Sequence, residues 1–332
     1  MRYLLILNPG SRGGKSQANF ERIFSFLQAH RAEFDYKLTK TPEDAYTFSA
    51  EGNKKGYDVI VAVGGDGTIN RVLNGFYDSK GNRISKAKLA VIHTGTSPDF
   101  CKSYGLPLEI PQALRAVLEG NSIKIPVGKI MHMGEYDKRL DGRPLSLDHV
   151  HLQTSYFACC ANIGLGASVA RGANSGIRDS IGDLAGTFVS LIKNLFAYQP
   201  VDVSVCIDGK KQVYEQVYNI FIGKTTYIAS GIKIKNKLLL NDDRFYTLVI
   251  KNISPTNWLR VLRKLYRAEE FVNNKIMSLQ YVQKIEVYGN CKNNELEFDG
   301  DPRGFLPCMI ESARDPLDVI SWAGGNKLDR RE

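Results

Sequence analysis

The chain has 332 residues, 43% of them hydrophobic and 24% charged, an ordinary globular composition long enough for about two domains. Its 44 Lys and Arg against 35 Asp and Glu leave a net charge of +9, which suits anionic partners without choosing among nucleotides, nucleic acid and an acidic lipid surface. Six scattered cysteines (Cys101, Cys159, Cys160, Cys206, Cys291 and Cys308) form no CxxC pair, which excludes a legible zinc site or disulfide framework and leaves free thiols in a reducing cytoplasm as the expectation.

The opening run "YLLIL" (Tyr3–Leu7) is cut off by Asn8-Pro9, too early for a secretory signal, and reads as a strand ending in the turn "NPGSRGGK". Phe20, Ile23, Phe24 and Leu27 follow at i, i+3, i+4 and i+7, the spacing of an amphipathic helix. "FDYKLT" alternates as a strand, and Pro42 then opens a helix with Thr41 as its N-cap. "YDVIVAV" (Tyr57–Val63) is apolar nearly throughout, as in a strand covered on both faces. Ile69, Val72, Leu73 and Phe76 restore the helical spacing. "KLAVI" (Lys88–Ile92) is the next strand, and Ile110, Ala113, Leu114 and Val117 mark the next helix. Strands alternating with helices imply a parallel sheet with helices on its faces.

After Gly120 the pattern changes to short β-branched and aromatic runs, among them "TSYFACCANIG", "VYEQVYNIFIG", "FYTLVIK" and "CMIES", which imply a second domain of mainly antiparallel sheet. Helical stretches interrupt it at about 180–198 and 256–272. The first holds "GTFVSLIKNLFAYQP", in which Lys193 and the short length rule out a membrane span. The polar segment Gly134–His149 reads as a hairpin excursion or a mobile loop. A soluble, cytoplasmic protein is expected, with domains at 1–122 and 123–325. The last segment either stays with the second domain or returns to the first.

The chemistry concentrates in "VGGDGT", where Gly64 and Gly65 end a buried strand and Thr68 begins a helix. Glycine there lets backbone amides approach an anion, and the helix N-terminus favours phosphate. Asp66 stands where a carboxylate can hold a magnesium-bound phosphate or a hydroxyl, and the Thr68 hydroxyl can donate to a phosphate oxygen. "NPGSRGGK" and "HTGTSPDF" end two further strands. Ligands of an open parallel sheet bind at the carboxyl ends of its strands, so three such loops form one phosphate cradle. None matches GxxxxGK[ST] or a full GxGxxG.

These motifs, in this order, resemble the diacylglycerol kinase catalytic domain family of bacterial lipid kinases and sphingosine kinases. "NPGSRGGK" resembles its first-strand loop, "GGDGTINRVLNG" its GGDGT signature, and "GTSPDFCKSYGLP" its NDF segment. "NIGLGASV", "GIKIKNKLLLNDDRFYTLVI" and "EFDGDP" are similar to later motifs of the family. The resemblance implies a Rossmann-like, NAD kinase-like parallel α/β domain followed by a β-sandwich domain, with ATP in the cleft between them. It implies that Thr39, the stretch Gly65, Asp66, Gly67, Thr68, Ile69, Asn70 and Arg71, and the pair Gly95 and Thr96 contact ATP, with Asn8 shaping the phosphate loop. It assigns Asp299 as the general base for a lipid hydroxyl, with Asp66 beside it in catalysis, Mg2+ offsetting phosphate charge, and a structural cation near Asp242. Outside the resemblance, Asp299-Gly300 reads as a type I′ hairpin turn.

The chain departs from the family at Pro98 (an asparagine in the NDF motif), Arg71 (a glutamate), Pro126 (an aspartate), Asp301 (a glutamate), Asp243 (a glycine) and Asn236 (a proline). An active ATP-dependent lipid kinase is the leading expectation. A weakly active nucleotide-binding homologue and an NAD kinase-like enzyme are the alternatives, and no nucleic-acid module is legible. In "NWLRVLRKLYRAEEF", Arg260, Arg263, Lys264 and Arg267 form a basic stripe suited either to solvent or to anionic lipid at a membrane surface.

Overall fold

The computed structural model describes residues 1–135, 146–172, 197–228, 232–289 and 295–322. Most of the helical stretch expected at about 180–198, the middle of Gly134–His149, and Cys291 lie outside the described residues. The chain runs through β1 (Arg2–Leu7), α1 (Phe20–Ala29), β2 (Glu33–Leu38), α2 (Pro42–Lys54), β3 (Val59–Gly64), α3 (Asp66–Asn74), β4 (Lys88–His93), α4 (Asp99–Ser103), α5 (Ile110–Glu119) and β5 (Ser122–Ile125). It continues through β6 (Gly128–Met133), β7 (Leu152–Phe157), β8 (Cys160–Gly164), α6 (Leu165–Gly172), β9 (Val201–Ile207), β10 (Lys210–Gly223), β11 (Tyr227–Ile228) and β12 (Ile232–Lys233). The last elements are β13 (Phe245–Lys251), α7 (Pro255–Arg267), β14 (Met277–Val282), β15 (Ile285–Tyr288), β16 (Glu295–Phe298), β17 (Asp301–Ser312) and β18 (Leu317–Ile320).

Two compact units result. The first takes residues 1–127 and the chain from Ala313 onward; the second takes Gly128–Ser312. In the first, six described strands lie in the order β2-β1-β3-β4-β18-β5. β1 to β4 are mutually parallel, β18 joins β4 in parallel, and β5 pairs antiparallel with β18. That last pairing keeps Ser122–Ile125 in the first sheet, so the division falls after Val127 rather than after residue 122. The continuous apolar run of β3 is buried at every residue because helices cover both faces. On one face Phe20, Ile23 and Leu27 of α1 and Ala113, Leu114 and Val117 of α5 meet Leu5, Val61 and Ala90. On the other, α2 lies so close that a Cβ at Gly52 would stand 2.6 Å from Leu4. A capping box starts α2: the Lys40 and Thr41 amides donate to Asp44 Oδ2 at 2.7 and 2.8 Å, satisfying donors that the first helical turn leaves open.

The second unit is antiparallel. Its described strands run β14-β13-β10-β8-β16-β17-β15-β9, with β6 on β17 and β7 on β6. β9 also pairs with β10, so the pairings from β10 through β8, β16, β17, β15 and β9 return to β10. The two long strands make this closure. β10 passes its first half to β9 and its second to β8 and β13, across a bulge at Tyr214–Val217. β17 passes from β16 to β15 in the same way. Strands that change sheets at a bulge are how packed β layers make corners. The enclosed core holds Phe157, Ile163, Val205, Ile220, Phe245 and Phe298. Outside it, α7 lays Trp258, Val261, Leu262 and Leu265 on Leu248 and Ile250 of β13. Among the described residues, no helix is long and apolar enough to cross a membrane.

Candidate active site

The strand order β2-β1-β3-β4 sets the carboxyl ends of four parallel strands in a row. Backbone bonds continue past the ladders there: the Thr39 amide donates to the Leu7 carbonyl, the Asn8 amide to Val63 and the Thr94 amide to Gly64, each at 2.9 Å. Three loops thereby share one edge of the first unit. Asn8 ties two of them together. Its Oδ1 accepts from the Gly10 amide at 3.0 Å, and its Nδ2 donates to Thr68 Oγ1 at 2.9 Å in the first turn of α3. The other tie is steric. A Cβ added at Gly95 would collide with the Gly65 Cα, and one at Gly64 would stand 2.6 Å from Thr68. Only glycine permits the loops after β3 and β4 to touch backbone to backbone.

Asp66 lies in the floor of this edge. Its Oδ2 accepts from the Asp99 amide at 2.9 Å, which opens α4, and its Oδ1 is 3.8 Å from His93 Nε2. His93 Nε2 is 3.0 Å from the Ser97 carbonyl, and Ser97 Oγ donates to Asp99 Oδ2 at 3.0 Å. Burial pushes His93 below its usual value, so the imidazole is mostly neutral at pH 7. Asp66 therefore binds the loop after β4 to the start of α3. Gly67 has open space where a Cβ would stand, and Thr96 is exposed beside half-buried Gly95. The Thr39 hydroxyl is within 3.4 Å of the Leu7 carbonyl.

Ile69 and Asn70, expected among the nucleotide contacts, are each 1% exposed. The helical period turns them inward, and Asn70 Oδ1 accepts from Asn74 Nδ2 at 3.1 Å, so their side chains pack rather than reach outward. Arg71 Nη1 pairs with Glu43 of α2 at 2.8 Å, which offsets its departure in charge from the family.

In the second unit, Asp299 occupies a two-residue hairpin turn between the paired residues Phe298 and Asp301. Asp299 and Gly300 both have positive φ, 50° and 85°, the geometry of a type I′ turn. The hairpin and the chemical reading of this dipeptide therefore coexist. Asp299 Oδ2 accepts from the Ala158 amide at 2.7 Å, and Oδ1 from Cys159 and Cys160 at 2.9 and 3.1 Å. Three amides of the β7–β8 turn suit a carboxylate anion and fix its direction. Two residues earlier stands Glu297, which the sequence reading missed. It is 4% exposed and accepts from Asn162 Nδ2 and the Gly300 amide. Burial pushes its carboxyl up to about 7, and the charges of Asp299 and Asp301 add to the effect. The available signal was strand alternation, which sets Glu297 on a different face from its neighbours; its polarity hid that this face is interior.

Asp242, the residue implied to hold a cation, gives its carboxylate to Arg244. Oδ1 accepts from the Arg244 amide and Nε, both at 3.0 Å, and Oδ2 from Nη2 at 2.8 Å. The hydrogen bonds from Arg244 hold Asp242 below the usual carboxylate range. Lys224, just after β10, approaches the same turn. Burial pushes its ammonium down to about 8, with Asp243 and Asp242 opposing the fall, so it is mostly charged at pH 7. Among the described residues, no cluster of three His, Cys, Asp or Glu side chains can hold a metal ion.

A parallel α/β unit with glycine-bearing strand ends, joined to an antiparallel unit with an acidic hairpin, is the two-domain fold of the NAD kinase and YegS type. Residues 2–130 match the family model of the diacylglycerol kinase catalytic domain, and residues 160–321 match the YegS C-terminal NAD kinase beta sandwich-like domain. The chain is 26% identical over 322 residues to a diacylglycerol kinase of Staphylococcus aureus strain bovine RF122 / ET3-1, covering 96% of this chain and 92% of that protein. A crystal structure of a diacylglycerol kinase from Bacillus anthracis str. Sterne superposes with a TM-score of 0.66 at 21% identity, over 98% of each chain. A yeast NADH kinase complexed with NADH shares the fold, with a TM-score of 0.57 at 10% identity over 99% of this chain and 86% of that one.

Two outcomes follow from the geometry. Gly95→Ala should lower unfolding stability by about 1–3 kcal/mol through overpacking, whereas Gly67→Ala should leave it unchanged or raise it by up to about 1 kcal/mol; urea titrations of both variants check the contrast. Glu297 has a folded-state value above its unfolded one. Its contribution to stability is therefore present below the unfolded value of about 4.3 and lost as pH rises through about 7. Glu297→Gln should remove on the order of 3 kcal/mol of pH dependence across that window, read as the difference between variant and wild-type melts, since His132, held down to about 4 by burial, slopes the opposite way in both.

Proposed function

We propose that this protein is an ATP-dependent lipid kinase that transfers the γ-phosphoryl group of ATP to a hydroxyl of a diacylglycerol-like lipid. The observation that carries the reading is the row of strand-end loops stripped to glycine at Gly65 and Gly95 and tied by Asn8 to the start of α3. Backbone amides and a helix N-terminus there make an anion site without spending a cationic side chain. The amides around Gly65, Gly67 and Thr68, with the exposed Thr96 hydroxyl, would hold the phosphates.

Transfer forms a bond from the lipid oxygen to the γ-phosphorus and breaks the bond from that phosphorus to the β–γ bridging oxygen, releasing ADP. The hydroxyl proton passes to Asp299. In a loose phosphoryl-transfer transition state the work is mostly positioning and charge stabilisation. A carboxylate aimed by three amides is suited to orient the hydroxyl and accept its proton late. Mg2+ fits as an ion carried by the nucleotide phosphates rather than held in a protein cage, since few carboxylates converge on the strand-end loops; when bound it neutralises phosphate charge. On α7, Arg260, Arg263 and Arg267 are exposed while Trp258, Val261, Leu262 and Leu265 are buried. This basic face would rest on anionic headgroups of the substrate-bearing membrane.

With radiolabelled ATP, Mg2+ and vesicles of total lipid extract, a labelled lipid is the expected product. Asp299→Asn should lower turnover about 100-fold or more while its melting curve reports whether the hairpin survives. Label appearing in NAD and in no lipid would move the protein to the NAD kinase reading. Cosedimentation with phosphatidylglycerol vesicles should weaken in the Arg260→Glu/Arg267→Glu variant and with added salt; equal binding to neutral vesicles would remove α7 from membrane docking.

A further inference from the structure

The family resemblance places a structural cation near Asp242, and the groups there are already committed to the chain's own positive charges. We propose that the Lys224 ammonium is the resident cation of the β13 approach, so that this chain holds the 242–244 turn without a bound metal at that position. Lys224 Nζ lies 3.4, 2.9 and 3.1 Å from the carbonyl oxygens of Asp242, Asp243 and Arg244, and 3.2 Å from Ser312 Oγ. Ser312 Oγ in turn donates to the Asp243 carbonyl at 2.6 Å, which leaves its lone pairs for the ammonium. The face of Phe245 closes the shell, its centroid 3.9 Å from Nζ, a cation–π distance. Successive carbonyls and a hydroxyl converging on one charge form the kind of oxygen shell that a hard cation takes. Here the charge arrives on a side chain.

The placement of Lys224 is built into the fold. Its amide donates to the Cys159 carbonyl at 2.9 Å, which continues the β8–β10 ladder by one residue and fixes where the side chain starts. Lys224 itself is 8% exposed. The carboxylate that a metal would need is closed by Arg244. An added divalent ion would therefore have to displace a buried ammonium and a guanidinium together. An ammonium also differs from a metal in kind: it cannot dissociate, so the turn stays formed whatever the free Mg2+ concentration.

The test uses the full chain and melting temperature, separately from any phosphotransfer assay. Wild-type protein dialysed against EDTA should carry no stoichiometric divalent metal by elemental analysis, and its melting temperature should not change when Mg2+ is restored in the absence of nucleotide. Lys224→Met, which keeps the length of the stem and removes the charge, should melt about 5 °C or more lower because the carbonyls of Asp242, Asp243 and Arg244 and Ser312 Oγ lose the ammonium that joins them. A tightly held divalent ion in the wild type, or a melting temperature that falls with EDTA and returns with Mg2+, would overturn the proposal. So would a Lys224→Met protein as stable as the wild type. The wild-type measurements stand even if the variant does not fold, and they are independent of whether the protein phosphorylates a lipid.

Discussion

The contact between Gly65 and Gly95 governs the first unit. Two parallel strands a ladder apart end in loops whose backbones touch: a Cβ at Gly95 would collide with the Gly65 Cα, and one at Gly65 would stand a tight 3.3 Å from the Gly95 Cα. Everything else on that edge follows from this closeness. Asp66 reaches the Asp99 amide across the junction, so the loop after β4 and the start of α3 are one object. Asn8 brings in the loop after β1 through its bonds to Gly10 and Thr68. The result is an edge of closely set backbone, where, on the proposed reading, amide dipoles and the helix N-terminus would draw an anion.

The second unit solves a different problem, how to aim a carboxylate from a strand pair. A two-residue turn needs positive φ at both positions, and an aspartate tolerates that better than a branched residue. Asp299 then points its carboxylate at the amides of the β7–β8 turn, and these bonds hold the hairpin to the neighbouring strands. Glu297, one strand repeat away, shares a buried network with Asn162 and the Gly300 amide. The acidic turn is thus braced from both of its sides by groups inside the same unit. As in the first unit's loops, where Asn8 and Asp66 accept from the Gly10 and Asp99 amides, side-chain oxygens meet backbone donors.

Much of the first unit was legible in the sequence because its signals are strong. β3 is apolar along its whole length, and α1 and α5 repeat their apolar residues at helical spacing. The return of β18 was less so, since four residues, Leu317–Ile320, carry too little pattern to say which sheet they join. β10 was legible as strand but not as a strand shared by two layers; that depends on a bulge near Gln216, whose φ of 49° has no mark in the residue type. The glycine loops were legible as loops, and the fold supplied their adjacency. Within them, the inward turn of Ile69 and Asn70 follows from helical phase once the helix start is known. Lys224 was silent: a lone lysine after an apolar strand looks like a solvent-exposed end, and only tertiary folding surrounds it with carbonyls.

The central claim is that the amides of the three strand-end loops hold a nucleoside triphosphate. Hydrogen–deuterium exchange of the full chain with and without Mg2+–ATP tests it most directly. The account predicts slowed exchange in peptides spanning residues 8–16, 64–71 and 93–99, with adenosine alone giving far less protection there. Slowed exchange confined to other segments, or equal protection by adenosine and ATP, would contradict it.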